Sequence, residues 1–408
     1  MKTLLFVDDE TKVLQGLQRQ LRVMRKEWDM HFMESGAAAL EFMQSQVVDV
    51  VVTDMMMPGM DGCQLLTEVA RLHSQTVRIV LSGQAERESV LRLIGPAHQY
   101  LSKPCTADDL RATIVRAFEL RELLGNERLK ELTTRIKSLP SLSITKSQLL
   151  QELRRDTPSL ERVSEIVARD IAMTAKILQL VNSAFFGSAR QISDPAEAVA
   201  YLGLSTLQAL AFSNEIFSQF NPQTCRLFSL AVLEQHSWAT GLLARRIAAL
   251  EQQNNQMMDL SFLAGMMHDV GQLVLAQGLD SEYSEVIEQA RQKNQSISDT
   301  EQAIFGVSHA EVGAYLLGLW GLPDLIIQAV GSHHDLQRSL ATGFTPLVAV
   351  HAADILIHEQ QRIVTEVPPP ELDMVWLERN GLAGRVEAWR AASREMADSG
   401  TQQPNSDL

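Results

Sequence analysis

The chain has 408 residues, a formal net charge of -14 and a sequence pI near 5.2. That length exceeds one ordinary core and favours two or three domains, while the acidic balance leaves no basic surplus for nucleic-acid binding. No window approaches the roughly 20 apolar residues needed to span a bilayer, so a soluble cytoplasmic protein without membrane contact is expected. Cys63, Cys105 and Cys225 stand isolated, without metal-type spacing, as reduced thiols would.

From the start to about residue 122, short apolar runs alternate with helical patterns. Strands are expected at Thr3–Val7, Met30–Met33, Asp49–Thr53, Val77–Leu81 and Gln99–Leu101. Helices are expected at Thr11–Lys26, Ala37–Gln44, Cys63–His73 and Arg87–Ile94, with a last one opening at the Thr106–Asp109 cap. Such βα repetition implies an α/β fold, a doubly wound parallel sheet covered on both faces. Chemistry then gathers at the carboxyl ends of the strands, where Asp8 and Asp9 follow the first, Asp54 the third, Ser82 the fourth and Lys103 the fifth. Converging carboxylates repel one another and are stabilised by a hard divalent cation such as Mg²⁺, with the lysine supplying further positive charge.

The stretch from Asp54 to Gly62 reads D-x-x-M-P-x-M-D-G. With the other strand-end residues it resembles a response-regulator receiver domain, over the whole of the first domain. The resemblance implies a flavodoxin-like five-stranded sheet with Asp54 as phosphoacceptor. Asp9, Asp54 and the Met56 backbone carbonyl would hold Mg²⁺, with Asp8 acting directly or through water. Lys103 would bind the phosphoryl oxygens, and Ser82 and Tyr100 would form the switch. The phosphoryl donor would be a sensor histidine kinase or a phosphotransfer protein. On its residue type alone, Tyr100 is equally an edge-strand aromatic that is half buried.

Apolar residues recur on a helical period from Leu110 through Leu132 to Ile136, so residues 123–137 are expected to form a helical connector. Residues 138–395 read as an all-α output domain and 396–408 as a disordered tail. Helix starts are marked by Asp194–Pro195 with Glu197, by Ser205 with Gln208, and by Ser308 with Glu311. Most histidines fall in the second half of this domain. His236, His268, Asp269, His309, His333, His334 and Asp354 have the chemistry of a bundle-core site for one or two Zn, Mn or Fe ions. Each alone would be an ordinary core or surface residue.

His236, His268-Asp269 and Asp354 are similar to the ligand set of the HD phosphohydrolase superfamily, and His309, His333 and His334 to the extra ligands of its HD-GYP branch. The leading half, with SLPSL, LVNSAFFG and the YLG segment, resembles the HDOD domain, which shares that fold and generally has no demonstrated catalysis. Gln272 stands where HD-GYP proteins carry a lysine, and Asp335 follows His333-His334 with no Gly-Tyr-Pro element after it. The expected function is therefore a phosphorelay response regulator. Its output would act on a downstream signalling protein through altered contacts or a changed homodimer arrangement. A metal-dependent phosphodiesterase acting on a cyclic dinucleotide is the alternative.

Overall fold

The computed structural model describes residues 1–83, 96–103, 105–123, 132–133, 139–141, 143–155, 157–182, 192–212, 218–219, 227–339, 342–361 and 370–400. Strands β1 (Lys2–Val7), β2 (Trp28–Met33), β3 (Val50–Asp54), β4 (Val77–Gly83) and β5 (Gln99–Lys103) form a parallel sheet in the order β2-β1-β3-β4-β5. Helices α1 (Thr11–Gln20), α2 (Gly36–Ser45), α3 (Gly62–Leu72) and α4 (Ala107–Leu123) accompany it. The β-branched run in β3 is buried on both sides, as a central parallel strand requires. Val51 packs with Leu5, Val7 and Val80 on one face, and Val50 and Val52 pack with Leu4, Phe6 and Ile79 on the other. That second cluster continues through Ile114, Ala117 and Phe118 of α4 into the core of the helical domain.

The helical domain contains α5 (Ser143–Leu153), α6 (Leu160–Ala168), α7 (Ile171–Val181), α8 (Pro195–Leu202) and α9 (Leu204–Phe212). Then come α10 (Leu230–Leu250), α11 (Asn255–Met267), α12 (Val270–Gly278), α13 (Asp280–Lys293) and α14 (Ile297–Phe305). It closes with α15 (His309–Leu319), α16 (Asp324–Ser332), α17 (Pro346–Gln361), α18 (Met374–Arg379) and α19 (Val386–Gly400). Helix α10 packs on α11 and α17, and α15 packs on α12 and α16. No described helix is long and apolar enough to cross a membrane.

Several local expectations are corrected. The first helix stops at Gln20 and becomes a 3-10 turn over Leu21–Met24, whose period of three buries both end residues. The second domain is helical as expected, and among its described residues it adds a minimal parallel pair, Pro140–Ser141 with Ser218–Gln219, too short to leave an alternating pattern. Helix α9 begins at Leu204 rather than after a Ser205 cap, and the Gln208 amide donates instead to the Leu153 carbonyl at 2.7 Å. The last helix runs on past Met396, where the tail was expected, to Gly400. By contrast, Asp194 caps α8 with Pro195 in its first turn, and Ser308 and Glu311 form a reciprocal capping box on α15. The helix expected at Arg87–Ile94, most of the connector and the chain beyond residue 400 lie outside the described residues.

Candidate functional site

Two clusters of ionisable side chains stand out, one at the carboxyl edge of the sheet and one inside the helical domain. At the carboxyl edge of the sheet, Asp8 after β1 and Asp54 closing β3 are 2 % and 7 % exposed. Lys103 Nζ, at the end of β5, donates to Asp8 Oδ2 at 2.7 Å and also to Asp54 Oδ1. The turn after β3 adds a bond from the Met56 backbone N–H to Asp54 Oδ2 at 2.9 Å. Burial raises the pKa of Asp54 above the ordinary carboxylate value against the opposing pull of Lys103.

The structure thus brings Asp8, Asp54, Met56 and Lys103 together. Asp9 is exposed beside them, while Asp8 is turned inward and also accepts from the Glu10 N–H at 2.9 Å. Ser82 lies on β4 opposite Ser102 of β5, and its side chain is outside the described residues. Tyr100 is fully buried in the cluster containing Val80, Leu65 and Leu66, more deeply than a half-buried edge aromatic, and burial pushes its phenol pKa up.

Inside the helical domain the expected residues form two adjoining groups, Asp269 with His309, His333 and His334, and His236 with His268 and Asp354. Within each group the candidate ligand atoms lie within 4.8 Å of one another. His236 Nε2 meets Asp354 Oδ1 at 2.9 Å, His268 Nε2 lies 3.3 Å from Asp269 Oδ2, and His309 Nε2 lies 3.1 Å from Asp269 Oδ1. Only His334 is exposed among the seven, and its Nε2 lies 2.9 Å from His309 Nε2.

The tautomers are set from outside. His268 Nδ1 donates to the Gly265 carbonyl, His333 Nδ1 to the Val330 carbonyl and His309 Nδ1 to Glu301 Oε2, each at 2.7 Å. Nδ1 therefore carries the anchoring proton, and Nε2 of each ring faces the centre. Nε2 of His268 and of His333 is buried there without a hydrogen-bond partner. Imidazoles locked in this way beside carboxylates are a donor set suited to Zn, Mn or Fe, so the residues fit such a cation. Burial alone would strip the proton from His309, but Glu301 and Asp269 outweigh it and raise the pKa to about 10. His333 is driven the other way, first by burial and then by its histidine neighbours.

Four supporting residues were missed from sequence. Glu301, completely buried on α14, accepts from the His309 N–H at 2.7 Å and from the Tyr283 hydroxyl at 2.9 Å besides His309 Nδ1. His351 Nδ1 donates to the His333 carbonyl at 2.7 Å, and His358 Nδ1 lies 3.0 Å from Asp354 Oδ1. His351 and His358 share α17 with Asp354, at spacings of three and four residues, which was a readable helical signal. Gly271 lets α12 approach α15, because a Cβ there would fall on the His309 carbonyl oxygen.

Family profiles agree with this division into a sheet site and a helical site. The response regulator receiver domain matches residues 4–115, and the HDOD domain matches residues 139–336. The chain is a receiver domain joined to an HDOD domain. It is 29 % identical over 224 residues to the hydrogenase transcriptional regulatory protein HoxA of Cupriavidus necator, covering 52 % of this chain and 45 % of that protein. The MmoQ response regulator of Methylococcus capsulatus str. Bath is a similar solved structure, at 22 % identity over 62 % of this chain and 98 % of that one, with a TM-score of 0.49. Another is an HDOD domain protein of unknown function from Geobacter sulfurreducens, at 22 % identity over 72 % and 96 %, with a TM-score of 0.38. The chain spans less than half the length of the curated relatives it matches. Both domains fit a response regulator.

Proposed function

We propose that this receiver–HDOD chain works in a phosphorelay, with Asp54 accepting a phosphoryl group and the HDOD domain answering through protein contacts. The observation that carries the reading is Lys103, held between Asp8 and Asp54 where the strands end. An Asp54 oxygen attacks phosphorus of a kinase or phosphotransfer-protein phosphohistidine, or of acetyl phosphate. The bond to the leaving group breaks, and the donor departs as imidazole or acetate. Lys103 then exchanges its Asp54 contact for the incoming phosphoryl oxygens. Mg²⁺ held by Asp8, Asp9, Asp54 and the Met56 carbonyl would supply charge neutralisation for that transfer. Ser82 and Tyr100 are the proposed switch residues.

In the HDOD domain the ligand shell supports resident metal binding without turnover. Gln272 replaces the lysine cation that would grip a substrate phosphate. The enzymatic reading, hydrolysis of a cyclic dinucleotide, is favoured by one observation, the assembly of all seven ligands. Acetyl phosphate should label the wild type and fail to label Asp54→Asn; labelling that persists would place the nucleophile elsewhere. Protein supplied with Mn²⁺ or Fe²⁺ should leave cyclic di-GMP intact. Turnover abolished by His268→Ala would assign the enzymatic reading instead.

A further inference from the structure

The hairpin of α15 and α16 runs from the histidine cluster to the receiver domain. Its open ends carry cluster residues: His309 is the first residue of α15, and His333 and His334 follow the last residue of α16. Its closed end rests on the receiver. Arg116 of α4 donates to the Leu322 carbonyl and pairs with Asp324 at 2.8 Å, and Gln99 of β5 reaches the Gly318 carbonyl at 3.4 Å.

The closed end is stiff. Gly321, at φ 75, ends α15 in a left-handed turn, with Gly321 N–H donating to the Gly318 carbonyl at 3.0 Å and Leu322 N–H to the Leu317 carbonyl at 3.1 Å. Apart from Glu311, α15 is buried along its length, and Gly313 packs tightly against Gly271 and Val330. At 1.5 Å per residue the helix is only about 16 Å long, so a shift at the tip reaches His309 with little loss. The interface also has room to move. A cleft of about 600 Å³, lined by Tyr100, Arg116, Gln179, Asn182, Trp320 and Asp324, opens between β5, α4, α7 and the tip. Metal coordination, by contrast, tolerates ligand displacements of only about 0.2 Å.

We propose that this hairpin couples the two sites: a divalent cation at Asp269, His309, His333 and His334 binds tightly while the receiver holds the tip, and a phosphoryl group at Asp54 changes that affinity by altering the hold. The coupling rests on the readings of Asp54 as phosphoacceptor and of the cluster as a cation site. It is reciprocal, so the cation must favour the docked receiver to the same degree.

The test titrates the full chain with Zn²⁺ against a chromophoric chelator in excess Mg²⁺, with and without beryllofluoride as phosphoryl mimic. A His333→Ala/His334→Ala variant reports zinc bound elsewhere. Wild-type affinity should differ between the two states by about fivefold. Arg116→Glu should weaken zinc binding in the unmodified protein and shrink the difference below about twofold. Asp324→Ala, on a side chain 88 % exposed and so harmless to folding, should act in the same direction. If the wild type and the double-histidine variant bind zinc alike, the cation site fails and the coupling with it. Zinc bound at the cluster with one affinity in both states would overturn the coupling alone. So would a difference that survives in Arg116→Glu or in Asp54→Asn.

Discussion

At Asp54 two carboxylates share one lysine at the edge of a sheet, whereas Asp269 and Asp354 lie among imidazoles inside a helical bundle. The counter-charge at the sheet edge is a flexible side chain 29 % exposed, able to swing to an incoming group without disturbing the core. The imidazoles of the cluster are short, and three are pinned through Nδ1 to backbone or carboxylate acceptors. The first arrangement suits a group that comes and goes; the second suits a ligand that stays. Buried charge is tolerated in both places because partners are supplied, and the form of the partner decides whether the site can exchange.

Glu301→Ala tests the retention half of that contrast most severely. It strips the His309 N–H, His309 Nδ1 and the Tyr283 hydroxyl of their buried acceptor together. Loss of one partner from such a network costs about 3–5 kcal/mol, read by denaturant unfolding. Acetyl-phosphate labelling of Asp54 should continue where the chain remains folded. A loss under about 1 kcal/mol would mean that the imidazoles need no external anchor, and the contrast would break.

Gly271→Ala acts through packing. The new methyl group collides with the His309 carbonyl, so α12 and α15 must separate, at about 1–3 kcal/mol. Zinc affinity should fall in parallel, since Asp269 and His309 are carried by the two segments that part. Unchanged stability and affinity would show that the backbones have slack, contrary to a retentive site.

The chemistry of the sheet edge was legible because strand ends are punctuated locally: Asp8, Asp54 and Lys103 each close an apolar run. The seven cluster residues were legible as residue types, aided by His268-Asp269 and His333-His334 being adjacent. Glu301 was not, because a lone acid eight residues before His309 has no periodic relation to it and meets it only by folding. Arg116 and Asp324 stand about two hundred positions apart with no pattern to connect them, and only the docking of two domains pairs them. The Leu21–Met24 turn contains neither proline nor glycine to announce the end of α1.

Lys176 supplies a third case, a buried cation to set beside the sheet edge and the cluster. It sits on α7 with its Nζ 5.3 Å from the centre of the Trp320 ring, and burial lowers its pKa to about 7. The unfolded chain, with an ordinary lysine pKa of 10.5, binds the proton up to that value, while the folded chain releases it above about 7. Stability must therefore rise with pH between those limits, and the cost of charging the buried amine is full below pH 7. Lys176→Met removes the titration. It should stabilise the protein at pH 6 by about 2–4 kcal/mol, the ring face and other contacts offsetting part of the burial cost, and the gain should shrink steadily as the pH rises toward 10.5. Unfolding curves at pH 6 and pH 9 decide it. A variant less stable than the wild type at pH 6 would show the Trp320 contact outweighing burial, and Lys176 would then join Lys103 as a charge kept by its partner.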